Sequence, residues 1–240
     1  MIFRQLFEPK LSAMTYLIGD LASSEAVVID PNQHQSTLIQ ALLAEHQLRL
    51  KYVLRTHVHR SSSAECGTLC AQTGALFVIG TANPIDYPGR RVQEGDLLHF
   101  GRESLEVIET PGHTPGCITY RWRDRIFCGD ALEIGGCGQA EDETSAGKLY
   151  DSVRSRIFTL PGETLIFPGH DYSGRTVSTV AEERTQNTAF STLSRDGFIE
   201  HLSQTKLLQS LHSDNPAKFF GKTDQTLEAS LQFKPKREVK

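Results

Sequence analysis

Tyr52-Val53-Leu54-Arg55-Thr56-His57-Val58-His59 is the stretch on which the fold turns. A short apolar run of strand type leads into a polar turn with two histidines, and Ala64, Leu69 and Ala71 in the following residues 61–73 predict a helix directly after it. A loop at a strand end, between rigid elements, is where sites are built. Toward the N-terminus, residues 2–7, 15–18 and 26–29 read as strands, the last stopped at Asp30-Pro31. Between that stop and Tyr52, Leu38, Ile39, Leu42 and Leu43 change the period to helical over residues 34–46. Toward the C-terminus, residues 76–79, 97–100, 105–108, 118–122 and 126–128 form a β-rich middle with Gly-Asp, Pro-Gly and Arg-Asp turns. Residues 148–158 then predict a helix, 164–167 a strand, 176–187 a polar helix, and the chain from about Leu202 a loosely packed helix and flexible end. Many strands with helices between and after them predict a layered α/β sandwich over residues 1–200, with residues 201–240 as a C-terminal helical extension and tail.

The 240 residues, 38% hydrophobic and 22% charged, suit one sizeable core. Lys+Arg 25 against Asp+Glu 29 leaves a formal net charge of -4 and no basic footprint for nucleic acid or an anionic membrane. No apolar run approaches the roughly 18 residues of a spanning helix, and Met1 to Phe7 alternates like a strand rather than a signal peptide, so a cytoplasmic protein is expected. Five cysteines, Cys66, Cys70, Cys117, Cys128 and Cys137, are an odd count that argues against a disulfide framework. Cys66 and Cys70 lack the second close pair of a zinc knuckle and read as small hydrophobes, as does Cys137.

Four chemistry-bearing residues share one context. His57 follows Val53-Leu54-Arg55-Thr56, His113 follows Val107-Ile108-Glu109-Thr110-Pro111-Gly112, Asp130 follows Ile126-Phe127-Cys128-Gly129, and His170 follows Leu165-Ile166-Phe167-Pro168-Gly169. An isolated histidine is ordinarily a surface residue, and His34, His46, His201 and His212 are read that way. Imidazole and carboxylate donors converging from separate strand ends suit zinc or non-haem iron.

Thr56-His57-Val58-His59, Thr110-Pro111-Gly112-His113-Thr114-Pro115-Gly116, Gly129-Asp130-Ala131 and Pro168-Gly169-His170-Asp171-Tyr172 resemble the successive metal motifs of the metallo-β-lactamase superfamily. Gly136-Cys137-Gly138, the run from Ile157 to Gly162, and that from His170 to Thr185 resemble the persulfide dioxygenases, relatives of glyoxalase II. The resemblance covers roughly residues 1–190. It implies a four-layer αββα sandwich and one Fe(II) on His57, His113 and Asp130, the set of two imidazoles and one carboxylate that leaves three cis positions. The activity it implies is oxidation of glutathione persulfide, or another low-molecular-weight persulfide, by O2 to sulfite and thiol. His59 and His170 are assigned to the shell around the metal, with direct ligation by His59 as the second assignment.

The chain also departs from the pattern. Where the superfamily has His-x-His-x-Asp-His, this sequence reads His57-Val58-His59-Arg60-Ser61-Ser62, so the aspartate and third histidine of a second metal site are serines. Two-metal hydrolysis is therefore disfavoured. After Gly138 the relatives carry an arginine, here Gln139, and the next loop contains Glu141, Asp142 and Glu143. Tyr172 and Arg175 are the residues expected to hold the carrier of the persulfide. The rival readings are a mononuclear-zinc thioester hydrolase of glyoxalase II type and a non-enzymatic sulfur- or metal-binding protein. Relatives commonly pair, so a homodimer is expected.

Overall fold

A computed structural model describes residues 1–59, 65–84 and 88–213, except the side chains of residues 65, 66 and 208–213. Strands β1 (Ile2–Glu8), β2 (Ala13–Asp20), β3 (Glu25–Ile29), β4 (Arg49–Leu54), β5 (Leu76–Gly80) and β6 (Arg90–Val92) form one sheet in that order. The first three are an antiparallel meander, and β3 to β6 run parallel. The second sheet contains β7 (Leu97–Phe100), β8 (Glu103–Glu109), β9 (Ile118–Trp122), β10 (Arg125–Gly129), β11 (Leu165–Pro168) and β12 (Ser178–Thr179), in the order β12-β11-β10-β9-β8-β7. Helices α1 (Ser36–Glu45) and α2 (Glu65–Thr73) belong with the first sheet; α3 (Glu143–Ser152), α4 (Val180–Gln186), α5 (Thr188–Ser191) and the start of α6 (Arg195–Ser213) belong with the second.

The alternation of side chains along each strand produces the layers. Met14, Tyr16 and Ile18 of β2 and Val27 and Ile29 of β3 face Phe100, Val107, Tyr120 and Phe127 of the other sheet, forming the central core. The intervening Leu17, Ala26 and Val28 point the opposite way, onto Ile39 and Leu43 of α1 and Leu69 of α2. On the far side, Ile126, Cys128 and Ile166 pack on Leu149 of α3, Val180, Phe190 and Phe198. Strands covered on both faces read as near-continuous apolar runs, which is why these segments are legible in the sequence. The arrangement is the expected αββα sandwich.

Several boundaries differ from the sequence reading. Helix α3 starts at Glu143 rather than 148, because Asp142 caps it by accepting from Ser145 N at 2.7 Å, and it continues as a π-turn over Val153–Ile157. In the segment read as a helix from 176, Ser178 and Thr179 instead pair with β11, and Thr179 then caps α4. Helix α6 begins at Arg195, not near Leu202, where Phe198 has an apolar partner in the second outer layer. Strand β6, α5 and β12 are too short to carry a periodicity and were not expected. The chain divides into units Met1–Ser203 and Gln204–Lys240. Arg60, Ser61, Ser62 and the expected tail from residue 214 lie outside the described residues.

Candidate metal centre

The topology brings the four strand ends to one edge. Strands β8 and β10 are both antiparallel to β9, and β11 is parallel to β10, so all three present their C-terminal ends together. The end of β4 joins them where Ile118 N donates to Thr56 O at 2.8 Å. A second stitch runs from the His170 loop: Met14 N donates to Gly169 O at 2.8 Å, Tyr16 Oη to Pro168 O at 2.6 Å, and Asp171 N to Ser12 O at 2.8 Å.

His57, His59, His113 and Asp130 each offer one donor atom, and these atoms all lie within 4.8 Å of one another. The Nε2 atoms of His57 and His113 are each 3.6 Å from Asp130 Oδ2, and His113 Nε2 is 3.3 Å from His59 Nε2. The three rings stand like the faces of a corner, with centroids 4.9 to 5.0 Å apart and planes at 85 to 86°. His170 is placed differently. Its Nδ1 donates to Asp130 Oδ1 at 2.7 Å, the carboxylate oxygen not shared with His57 and His113.

Hydrogen bonds on the far side of two rings fix their tautomers. His113 Nδ1 is 2.7 Å from Gln139 O, a carbonyl that only accepts, so the ring proton is on Nδ1 and Nε2 is a bare donor atom. Thr56 Oγ1 gives its one proton to Asp30 Oδ2 at 2.6 Å, so with Asp30 ionised it accepts from His57 Nδ1 at 3.0 Å. His57 Nε2 is thereby also bare. Two bare imidazole nitrogens and a carboxylate oxygen face one point, with a third imidazole nitrogen alongside, a concentration of electron pairs that suits a cation. The donor set fits a divalent metal of the zinc, iron or manganese type.

The electrostatics agree with this reading. Burial pushes His57 down to about 3 against the pull of Asp130, so its ring is neutral at physiological pH. Burial, then His113, also lowers His59. Burial opposes charge on Asp130, but His57, the His170 hydrogen bond and His113 outweigh it and keep the carboxyl well below the usual carboxylate range. His170 is raised: burial works against its charge, and the bond to Asp130 prevails.

Two glycines allow the close approach. A Cβ on Gly138 would overlap Asp130 O and come within 3.0 Å of His113 Nδ1, and Gly129, at φ +54°, has Thr56 where a side chain would go. Ser152 Oγ of α3 holds the His113 loop by donating to Pro111 O at 2.7 Å.

Other positions expected from the sequence fall around this cluster. Tyr172 is exposed and stacks on His170 with centroids 5.7 Å apart and planes 2° apart. Arg175 lines a cavity together with His170 and Tyr172, and its guanidinium donates to Glu182 Oε1 at 2.6 Å. Cys70, Cys117, Cys128 and Cys137 are free thiols, and burial pushes Cys137 up to about 12, keeping it neutral.

Sequence reasoning missed the supports. Asp30, read only as a strand stop, receives both Thr56 N at 2.9 Å and Thr56 Oγ1. Buried Asn187 Nδ2 reaches Gly136 O and Glu183 Oε2 at 2.9 Å each, and Glu183 Oε2 accepts from Gly135 N at 2.9 Å. Together they hold the turn leading to Gln139. The available signal was Asp30 itself, a carboxylate at a strand end like Asp130.

Fold and donor cluster together define the class, the metallo-β-lactamase superfamily, whose sequence profile matches residues 68–170. The chain is 43% identical over 210 residues to "Persulfide dioxygenase ETHE1, mitochondrial" of Mus musculus, covering 86% of this chain and 82% of that one. It therefore belongs to the persulfide dioxygenase family. The crystal structure of ETHE1 from Myxococcus xanthus superposes with a TM-score of 0.80 at 42% identity, covering 85% of this chain and 91% of that one. A hydroxyacylglutathione hydrolase of Rhodospirillum rubrum is 36% identical over 162 residues, 66% of this chain and 62% of the hydrolase.

Proposed function

We propose that this chain is an Fe(II)-dependent persulfide dioxygenase, the metal held by His57, His113 and Asp130. The overall change is R-S-SH + O2 + H2O to R-SH and sulfurous acid, which ionises to sulfite; the persulfide gives up a net four electrons and O2 takes them. The observation that carries the reading is a cluster of three imidazoles and one carboxylate in a chain 43% identical to a persulfide dioxygenase over most of its length. Bound Fe(II) would supply a redox-active Lewis acid able to take a persulfide sulfur and O2.

The protein's part is positioning. Asp30, through Thr56, and Gln139 O keep the His57 and His113 rings in their donor tautomers. His170 holds Asp130 so that Oδ2 stays turned to the cluster. His59 Nε2 faces the same point, within reach of a bound sulfur or water. Tyr172 and Arg175 border the cavity beside His170, where the carrier of the sulfur, glutathione or another small thiol, would lie. The cytoplasm, a reducing compartment, suits the free thiols of Cys70, Cys117, Cys128 and Cys137, and among the described residues no helix is long and apolar enough to cross a membrane. We assign catalysis to residues 1–200 and treat 201–240 as an extension that could serve pairing of two chains. A change of mass in solution on its removal tests that role.

The deciding experiment reconstitutes the protein anaerobically with Fe(II), confirms its iron content, and follows oxygen on addition of glutathione persulfide. Uptake matched by sulfite and abolished in His113→Ala is expected. Oxygen uptake without sulfite, or no uptake at full iron occupancy, overturns the proposal. Turnover of S-lactoylglutathione by zinc-loaded protein would instead establish the hydrolase.

A further inference from the structure

Beside His170 lies a cavity of about 240 Å³ whose lining includes Glu133, Gly136, Asp171, Tyr172 and Arg175. That is below the roughly 300–1,000 Å³ of pockets for drug-sized ligands. One imidazole separates it from Asp130. Its charges are unequally committed. Arg175 is paired with Glu182, and the Asp171 carboxylate accepts from Ser173 N, Gly174 N and Arg175 N at 2.7 to 3.1 Å. His170 is turned to Asp130. The half-buried Glu133 carboxylate has no hydrogen-bond partner among the described residues, while its backbone is fixed by the Glu133–Gly136 bridge. The uncommitted charge of the cavity is therefore negative.

Resting on the persulfide dioxygenase reading, we infer that Glu133 is a specificity-determining residue, receiving an ammonium group on the carrier, and that the chain prefers small amine-bearing thiol persulfides to anionic ones. Burial, then the Asp130 charge, pushes the Glu133 carboxyl up to about 7 against the pull of His170, so a second cation beside it would be favoured. The Tyr172 ring on the same wall adds an electron-rich face, which also favours a cation. Gln139, in place of an arginine, adds no positive charge to the turn beyond.

The test compares three persulfides of similar size but different charge, prepared from cysteamine (cationic), 2-mercaptoethanol (neutral) and 3-mercaptopropionate (anionic), with Fe(II)-loaded protein at pH 8. A charge-assisted hydrogen bond predicts a kcat/KM for the cysteamine persulfide roughly tenfold or more above the neutral one, carried by KM, with the anionic one lowest. Glu133→Gln should collapse the cationic-to-neutral ratio to about twofold or less, and Glu133→Asp should restore part of it. Equal rates in the unmodified protein, or a preference that persists in Glu133→Gln, overturn the inference. If Glu133→Gln does not fold, Glu133→Leu takes its place, with the same ratio as readout. If no persulfide is consumed, the dioxygenase reading falls, and calorimetry decides the inference separately. Cysteamine binding more tightly than 2-mercaptoethanol, with the difference lost in Glu133→Gln, supports it; equal binding overturns it.

Discussion

At the scale of single residues, the centre depends on hydrogen-bond directions as much as on donor types. Thr56 joins two of them: one proton, given to Asp30, makes its oxygen an acceptor for His57 Nδ1–H. Thr56→Val keeps the shape and removes that link. It should lower metal affinity about 10- to 100-fold, the effect of losing an outer-shell partner, while Thr56→Ser should recover most of it; metal titration of the purified proteins measures both. The two assignments of His59 also separate here. If His59 stands beside the metal rather than on it, His59→Ala retains close to one iron per chain, whereas His113→Ala and Asp130→Asn lose it, as elemental analysis of the dialysed proteins would record. Loss of iron in His59→Ala to the same degree would make His59 a ligand. The four strand-end residues were legible because each follows an apolar run with a turn signal. The approach of His59 to His113, 54 positions apart, was not, because it is set by the meeting of β4 and β8 from different sheets.

At the scale of elements, the second sheet's helices reach the centre through a relay. Helix α4 supplies Glu183, and Asn187 follows it; the pair hold the 133–136 turn, Gly138 N next donates to Asp130 O at 3.0 Å, and Gln139 O orients His113. Asn187→Ala takes one donor from each of Gly136 O and Glu183 Oε2 and should destabilise the protein by about 1–3 kcal/mol. Urea denaturation would measure this, and a parallel fall in metal affinity would mark the relay's reach. Its absence would mean the turn holds itself. None of this was readable from periodicity. Asn187 lies at the junction of two helices of seven and four residues, and its hydrogen bonds cross 51 and 54 positions. The long apolar strands, by contrast, were placed to within a few residues, since burial on both faces leaves little choice of side chain.

At the scale of the molecule, the two sheets are joined by apolar packing in the middle and by charge at the margin. Asp20, at the end of β2, is fully buried and accepts from Arg102 N at 3.0 Å, Nε at 3.2 Å and Nη2 at 3.0 Å, so the β7–β8 turn is tied to the first sheet. The Arg102 side chain itself is 72% exposed. These bonds, side chain first and backbone second, hold the Asp20 carboxyl well below its ordinary range. A carboxyl lowered by folding stabilises the folded state above its unfolded pKa, about 3.9, and this contribution is lost as pH falls toward the folded value. Arg102→Ala should therefore lower Tm at pH 7, and the gap from the unmodified protein should narrow as pH drops below about 4, where the unfolded chain takes up a proton that the folded Asp20 still resists. Thermal melts across that range provide the check. A gap independent of pH would mean that Arg102 acts through the packing of its aliphatic stem instead, leaving the apolar core as the main tie between the sheets.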